Sequence, residues 1–242
     1  MAREYPGILI AVEGIDGSGK TTQVGLLAEF LAHCGEAVVR SKEPTDGPWG
    51  QKIRQSASTG RMNLGQELDA FIEDRKEHVA NLIKPSLEAG MIVILDRYYY
   101  STLAYQGARG ADVESIGMHM AEIAPEPDVV LLLDVPTEIG IARISEGRKE
   151  TPNAFESSEN LKAVRKVFLQ IETEHDNVVK IDGAQSKEAV AKEVLKTLLD
   201  GVLHKHRCAK EWGCDGMNCS WRTLGLCRWA SIRAKASSKL SA

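Results

Sequence analysis

The residues best suited to chemistry lie near the start of the chain. Gly14, Ile15, Asp16, Gly17, Ser18, Gly19, Lys20 and Thr21 read GxxxxGKT, followed by Thr22, directly after the apolar run Ile8-Leu9-Ile10 and at the opening of a helical pattern. In that context the glycines let successive backbone N–H groups face an anion, and a helix N-terminus adds positive potential. Lys20 supplies a charge for β- and γ-phosphates, and Thr21 a hydroxyl for magnesium. A nucleoside triphosphate is therefore the expected ligand, but the loop does not name what receives the phosphoryl group. Three further stretches bear on that: KEPTDGPWGQKIR (42–54), DAFIEDRKEH (69–78) and DRYYYSTLAYQG (96–107).

The elements that must hold these residues follow from hydropathy. Five β-branched runs, at 8–12, 36–40, 91–95, 128–133 and 177–181, alternate with helical patterns at about 19–34, 50–58, 65–89, 111–124, 137–146, 157–174 and 186–203. This alternation predicts an α/β fold of three layers, a five-stranded parallel sheet flanked by helices. Pro85 should bend or break the third helix. In such a sheet ligands bind at the strands' C-terminal ends, where the three stretches fall. The polar segment 147–157, GRKETPNAFES, reads as a lid.

Composition divides the chain near His204. Residues 204–242 hold eight Lys/Arg against Glu211 and Asp215, a charge of +6, while residues 1–203 carry 22 basic against 32 acidic groups. Trp212, Trp221 and Trp229 lie in this tail, as do Cys208, Cys214, Cys219 and Cys227. The expected domains are 1–203 and a 204–242 extension. No apolar run approaches the roughly 18 residues of a bilayer span, so the chain reads as soluble and cytoplasmic. In a reducing compartment the four cysteines suggest a metal more readily than disulfides. The spacing C-x5-C-x4-C-x7-C lacks the paired C-x2-C of strong zinc signatures. Zinc, an iron–sulfur cluster and unligated thiols all stay open.

Taken with GIDGSGKT, the EP pair at 43–44, Phe71 with Arg75, the DRY triplet at 96–98 and AYQG at 104–107, the chain closely resembles the thymidylate kinases over about residues 7–200. The resemblance implies magnesium-dependent transfer of the ATP γ-phosphoryl to dTMP, in a homodimer. It places Arg97 as a clamp on both nucleotides' phosphates and Arg54 on the dTMP phosphate. Phe71 would stack on the pyrimidine, Arg75 donate to O4 and Thr102 touch the base near N3, with Gln106 close by. Tyr105 would crowd the sugar 2′ position, Asp16 meet the 3′-hydroxyl or a magnesium-bound water, and Glu43 join the dTMP site. Asp96 and Glu156 would assist Thr21 with magnesium.

Plain structural readings stand beside these. Arg97 could pair with Asp96, Arg54 could lie on a solvated helix face, and Phe71 could belong to the core.

Gly17 in the loop and Arg148-Lys149 in the lid place the chain with relatives that carry the catalytic cation in the lid. Arg148 would then meet the transition state and Arg143 the adenine. Asn153 and Ala154 depart from the family's lid, which has Asp-Arg before Phe155 and Glu156, and Lys42 stands where Arg usually precedes EP. The rival readings are a kinase for another pyrimidine monophosphate, and a nucleotide-binding regulator whose basic tail contacts nucleic acid. The second is disfavoured by the complete set of acceptor motifs.

Overall fold

The structure, a computed structural model, describes residues 4–147 and 157–205. The expectations for Arg148, Lys149, Asn153, Ala154, Phe155 and Glu156, and for Cys208, Cys214, Cys219 and Cys227, lie outside the described residues.

Five strands form one parallel sheet: β1 (Ile8–Glu13), β2 (Val38–Lys42), β3 (Ile92–Asp96), β4 (Val129–Asp134) and β5 (Val178–Asp182), ordered β2-β3-β1-β4-β5. Each lies within two residues of its expected run. All six residues of β1 are buried, as a central parallel strand with both faces covered requires. One face packs Leu9, Val93, Leu95 and Val130 against Tyr98, Leu103 and Phe168. The other packs Ile8, Ile10, Ile94 and Leu131 against Leu27, Leu31, Val194 and Leu198. The chain runs from β1 to β2 and β3 on one side of β1 and then crosses to β4 and β5 on the other, so a crevice opens at the strand ends beside β1.

Ten helices surround the sheet among the described residues: α1 (Lys20–His33), α2 (Pro48–Thr59), α3 (Leu64–His78), α4 (Lys84–Glu88), α5 (Tyr99–Gly107), α6 (Val113–Ile123), α7 (Thr137–Gly147), α8 (Ser158–Glu174), α9 (Lys187–Asp200) and the short α10 (Val202–Lys205). The helix expected over 65–89 is interrupted before Pro85. A π-turn at Val79–Ile83 joins α3 to α4, with the Lys84 N–H bonded to Val79 O, and Pro85 sits in the first turn of α4, where its missing N–H is harmless.

Helix α5 is not among the expected helices. Seven of its nine residues are buried, and a helix covered all round has no polar stripe to reveal it.

The helix starts separate into two kinds. Helices α3, α6, α8 and α9 are capped by their own Asn63, Asp112, Ser157 and Ser186 side chains. Helices α1, α2, α4 and α5 have no such cap, and of these α1 and α5 follow β1 and β3 at the crevice.

Candidate active site

The GxxxxGKT segment turns from β1 into α1. Gly19 precedes the helix at φ 95°, leaving the first N–H groups of α1 for an anion. Lys20 Nζ is folded back onto Gly14 O (3.1 Å), Ile15 O (2.8 Å) and Ser18 Oγ (3.3 Å). Burial and the neighbouring Arg97 push its pKa down to about 8.

Gly17 has φ 77°, and a Cβ there would stand 2.2 Å from Gly140 O of α7. Backbone conformation and packing thus both exclude a side chain at this point of the loop. Thr21 Oγ1 donates to Asp96 Oδ2 at 2.5 Å on the wall of a cleft of about 580 Å³, which also reaches Arg143. Arg143 is held by Gly183 O at 2.9 Å.

A second cavity, about 280 Å³, lies beside the cleft, lined by Arg54, Phe71, Arg75, Thr102 and Tyr105 among others. The two spaces share Asp16, Lys42, Glu43 and Arg97. Arg97 stands at their junction with φ 71°, the one non-glycine residue with positive φ among those described. Such a conformation costs on the order of 1 kcal/mol and persists only where surrounding contacts impose it. Here the guanidinium meets Asp16 Oδ1 (2.7 Å), Ser101 Oγ (2.9 Å) and Gly14 O (3.3 Å). Burial alone would raise Asp16, but Arg97, Lys20 and the Tyr105 hydroxyl (2.7 Å) hold it down at about 2.

The cavity floor is a chain of buried polar groups. Glu43 Oε2 accepts from Arg75 Nε at 3.0 Å and Nη2 at 2.5 Å, and Glu43 Oε1 meets His78 Nδ1 at 2.9 Å. His78 Nε2 reaches Ser41 Oγ at 2.8 Å, and Arg75 Nη2 donates to Thr102 Oγ1 at 3.1 Å. Although burial would raise the Glu43 pKa, Arg75 and His78 lower it, so the carboxylate stays charged and fixes the guanidinium. Asp74 anchors the preceding loop through Thr45 N–H (2.8 Å) and Oγ1 (2.6 Å).

These positions refine the sequence reading. Phe71 is half-buried on the cavity wall and absent from both core clusters, and Arg54 lines the cavity while bonded to Pro44 O and Asp46. Arg97 pairs with Asp16, while Asp96 takes Thr21.

Gln106, expected close to Thr102 at the base, already has a side-chain partner. It is fully buried outside the cavity lining, with Nε2 donating to Glu67 Oε1 at 2.8 Å. On α5 it lies four positions on from Thr102, on the same helix face, with its Nε2 bonded to Glu67 of α3. Glu43 also changes meaning, since both of its oxygens are taken by Arg75 and His78.

The sequence reading missed His78 and Glu13. His78 shares a helix face with Arg75 at i, i+3, a spacing that could have drawn attention to it. Glu13 is a carboxylate ending the otherwise apolar run ILIAV, and such a residue at a buried strand end invites a search for its partners.

A parallel sheet with a phosphate-loop sequence after β1, and two adjoining spaces that meet beside that loop, is the arrangement of a P-loop nucleoside monophosphate kinase. Residues 12–194 match the thymidylate kinase family. The chain is 46% identical over 187 residues to the thymidylate kinase of Xanthomonas campestris pv. campestris (strain B100), covering 77% of this chain and 81% of that protein. It is 47% identical over 194 residues to the thymidylate kinase of Xylella fastidiosa (strain M12), covering 80% and 88%. With that of Xanthomonas oryzae pv. oryzae (strain PXO99A) it shares 48% identity over 187 residues, 77% and 81% of the two chains. The chain belongs to the thymidylate kinase family, and its activity is that of a dTMP kinase. No helix among the described residues is long and apolar enough to cross a membrane.

Proposed function

We propose that the cleft holds ATP, the cavity holds dTMP, and the phosphoryl group passes between them at Arg97. The observation that carries this division is the shared lining: a donor phosphate on the Lys20 loop and an acceptor phosphate beside Arg54 would meet at Arg97, Asp16 and Lys42.

The acceptor phosphate is already anionic near neutral pH and needs no general base. One of its oxygens attacks the γ-phosphorus in line, the bond to the bridging oxygen breaks, and ADP carries that oxygen away. The protein's part is positioning and charge. Lys20 and Arg97 lie against the phosphates, and Tyr105, bonded to Asp16, closes the space beside the sugar. Arg75 and Thr102 offer fixed polar atoms to the base, and the half-buried Phe71 ring offers a stacking face. Arg143 borders the adenine end.

The Thr21 hydroxyl and the Asp96 carboxylate supply only oxygen, a donor set that suits magnesium bound together with substrate phosphates. When bound, the metal neutralises developing phosphate charge. Glu156 is a further candidate from the sequence. Arg148 is the candidate lid cation, and the collision that bars a side chain at Gly17 supports a catalytic Arg arriving from elsewhere in the chain.

The kinase domain is assigned to 1–203, with zinc proposed for Cys208, Cys214, Cys219 and Cys227, and the working unit is proposed as a cytoplasmic homodimer. Metal analysis of untagged protein and light scattering test the last two. A nucleic-acid role for the basic tail is not favoured. The decisive assay supplies ATP, magnesium and a panel of nucleoside monophosphates. ADP should appear fastest with dTMP, and equal ADP release with no acceptor present would overturn the assignment.

A further inference from the structure

Glu13 is the last residue of β1, fully buried, and none of the roles above uses it. Its Oε1 accepts from the Tyr98 N–H at 2.7 Å and the Ser101 N–H at 3.1 Å, and its Oε2 accepts from the Ser101 hydroxyl at 2.5 Å. Both N–H groups lie at the start of α5, where the Ser101 N–H is shared with Tyr98 O at 3.1 Å. The carboxylate therefore caps, from another strand, a helix that has no cap of its own. A local Ser, Asn or Asp serves that purpose in four other helices of this protein. At position 98 stands Tyr, and a buried acid is used instead, at a desolvation cost that only a specific need would offset.

What distinguishes Glu13 from a local cap is what it reaches. The Ser101 hydroxyl has one proton, which it gives to Glu13, and its lone pair accepts Arg97 Nη1 at 2.9 Å. The next residue, Gly14, offers its carbonyl to both Lys20 Nζ and Arg97 Nη1. The pair Glu13-Gly14 thus fixes the phosphate-loop lysine and the junction arginine from one strand end. The left-handed turn at Arg97 lies between two segments that it pins, the loop and the first turn of α5.

We propose that Glu13 is a positioning residue for phosphoryl transfer: its carboxylate, acting through the Ser101 hydroxyl and the start of α5, holds Arg97 aimed at the junction of the two nucleotide sites. This rests on the assignment of Arg97 to that junction. Only the ionised carboxylate is purely an acceptor. A protonated Glu13 can donate to Ser101 and leave the hydroxyl proton facing Arg97.

Burial sets the Glu13 pKa at about 7, against the downward pull of Ser101, Arg97, the Tyr98 N–H and Lys20. The groups facing it are Arg97, Tyr98 and Ser101 after β3, Tyr100 on α5 and Lys20 on α1, while β4 presents Leu132 in register.

The test compares wild type, Glu13→Gln, Arg97→Ala and the double variant at saturating ATP and dTMP. Glu13→Gln keeps size and shape, and should lower kcat about 10- to 100-fold while leaving the melting temperature equal or higher. Wild-type kcat should fall as pH drops, with a midpoint at or above about 7 because bound phosphates add negative charge nearby, and the variant should lack that limb. The double variant should be no slower than Arg97→Ala, since Glu13 acts through that residue. A Glu13→Gln enzyme within about twofold of wild type, or losses that multiply in the double variant, would overturn the proposal. If Glu13→Gln does not fold, Ser101→Ala should show the same kcat loss and Ser101→Thr restore it, and a neutral Ser101→Ala counts against the relay. Near-normal turnover of Arg97→Ala would instead remove the junction assignment on which this rests.

Discussion

The two spaces proposed for the nucleotides are built differently. The acceptor cavity is walled by side chains that hold one another: Glu43 fixes Arg75, Arg75 fixes Thr102, and Asp16 fixes both Tyr105 and Arg97. The cleft proposed for the donor is shaped at the phosphate loop by main chain, with Gly17 pressed on Gly140 and Gly19 opening α1, beside the side chains of Lys20, Thr21 and Asp96. A base must be told from other bases, which needs donors and acceptors at fixed points. A polyphosphate needs only positive potential and N–H groups, which any glycine loop at a helix start can provide.

Four substitutions or titrations would break or sharpen this contrast. Arg97 belongs to both spaces, so Arg97→Ala should cost most, about 10³-fold or more in kcat/KM for both substrates, measured by steady-state kinetics. A loss confined to one substrate would place Arg97 in one space alone.

Gly17→Arg should damage the donor side selectively. The Cβ would meet Gly140 O, and relieving that contact displaces the loop, so the KM for ATP should rise about 100-fold. Unchanged ATP binding would show that α7 yields easily.

Stability should carry a pH signature of the buried acid beside the loop. The Glu13 pKa is raised from 4.5 to about 7, so the folded chain holds this proton more tightly than the unfolded chain. Its contribution is fully present below about pH 4.5 and lost as pH rises through about 7, a change of about 3 kcal/mol at full extent. Urea unfolding of wild type and Glu13→Gln on both sides of that window should show the slope only in wild type. Asp16, depressed to about 2, has the opposite sign: its contribution is present above 3.8 and lost as pH falls through about 2.

The smallest effect is expected for Arg75→Lys. An ammonium keeps the charge beside Glu43 but cannot span Glu43 and Thr102 together. The KM for dTMP should rise about 10-fold with the KM for ATP unchanged, and discrimination against dCMP should narrow. A changed ATP term would mean that the spaces are coupled through the Glu43 loop.

The contrast also explains which parts were legible in sequence. Main-chain devices leave local signatures, since a glycine at a forced turn and a lysine at a helix start sit at fixed spacings. Side-chain networks draw on distant segments: Ser41, Glu43 and His78 come from β2, the loop after it and α3, and no spacing predicts their meeting. AYQG offers Gln106 as a binding residue by type, whereas the bond from its amide to Glu67 depends on how α5 meets α3. Helix α5 itself was hidden because it is buried on nearly every side.

By itself the sequence determined the five strands, the phosphate loop, the lysine and threonine within it, and, through its resemblance to known kinases, the acceptor. Periodicity and glycine spacing are local properties, and they survive in a linear chain. Only the tertiary structure decided that Arg97 adopts a left-handed turn between two cavities, that Glu43 serves Arg75, and that a carboxylate ending β1 caps α5. Those depend on which side chains the sheet order brings within about 3 Å of one another, and on the low dielectric that makes each such contact strong.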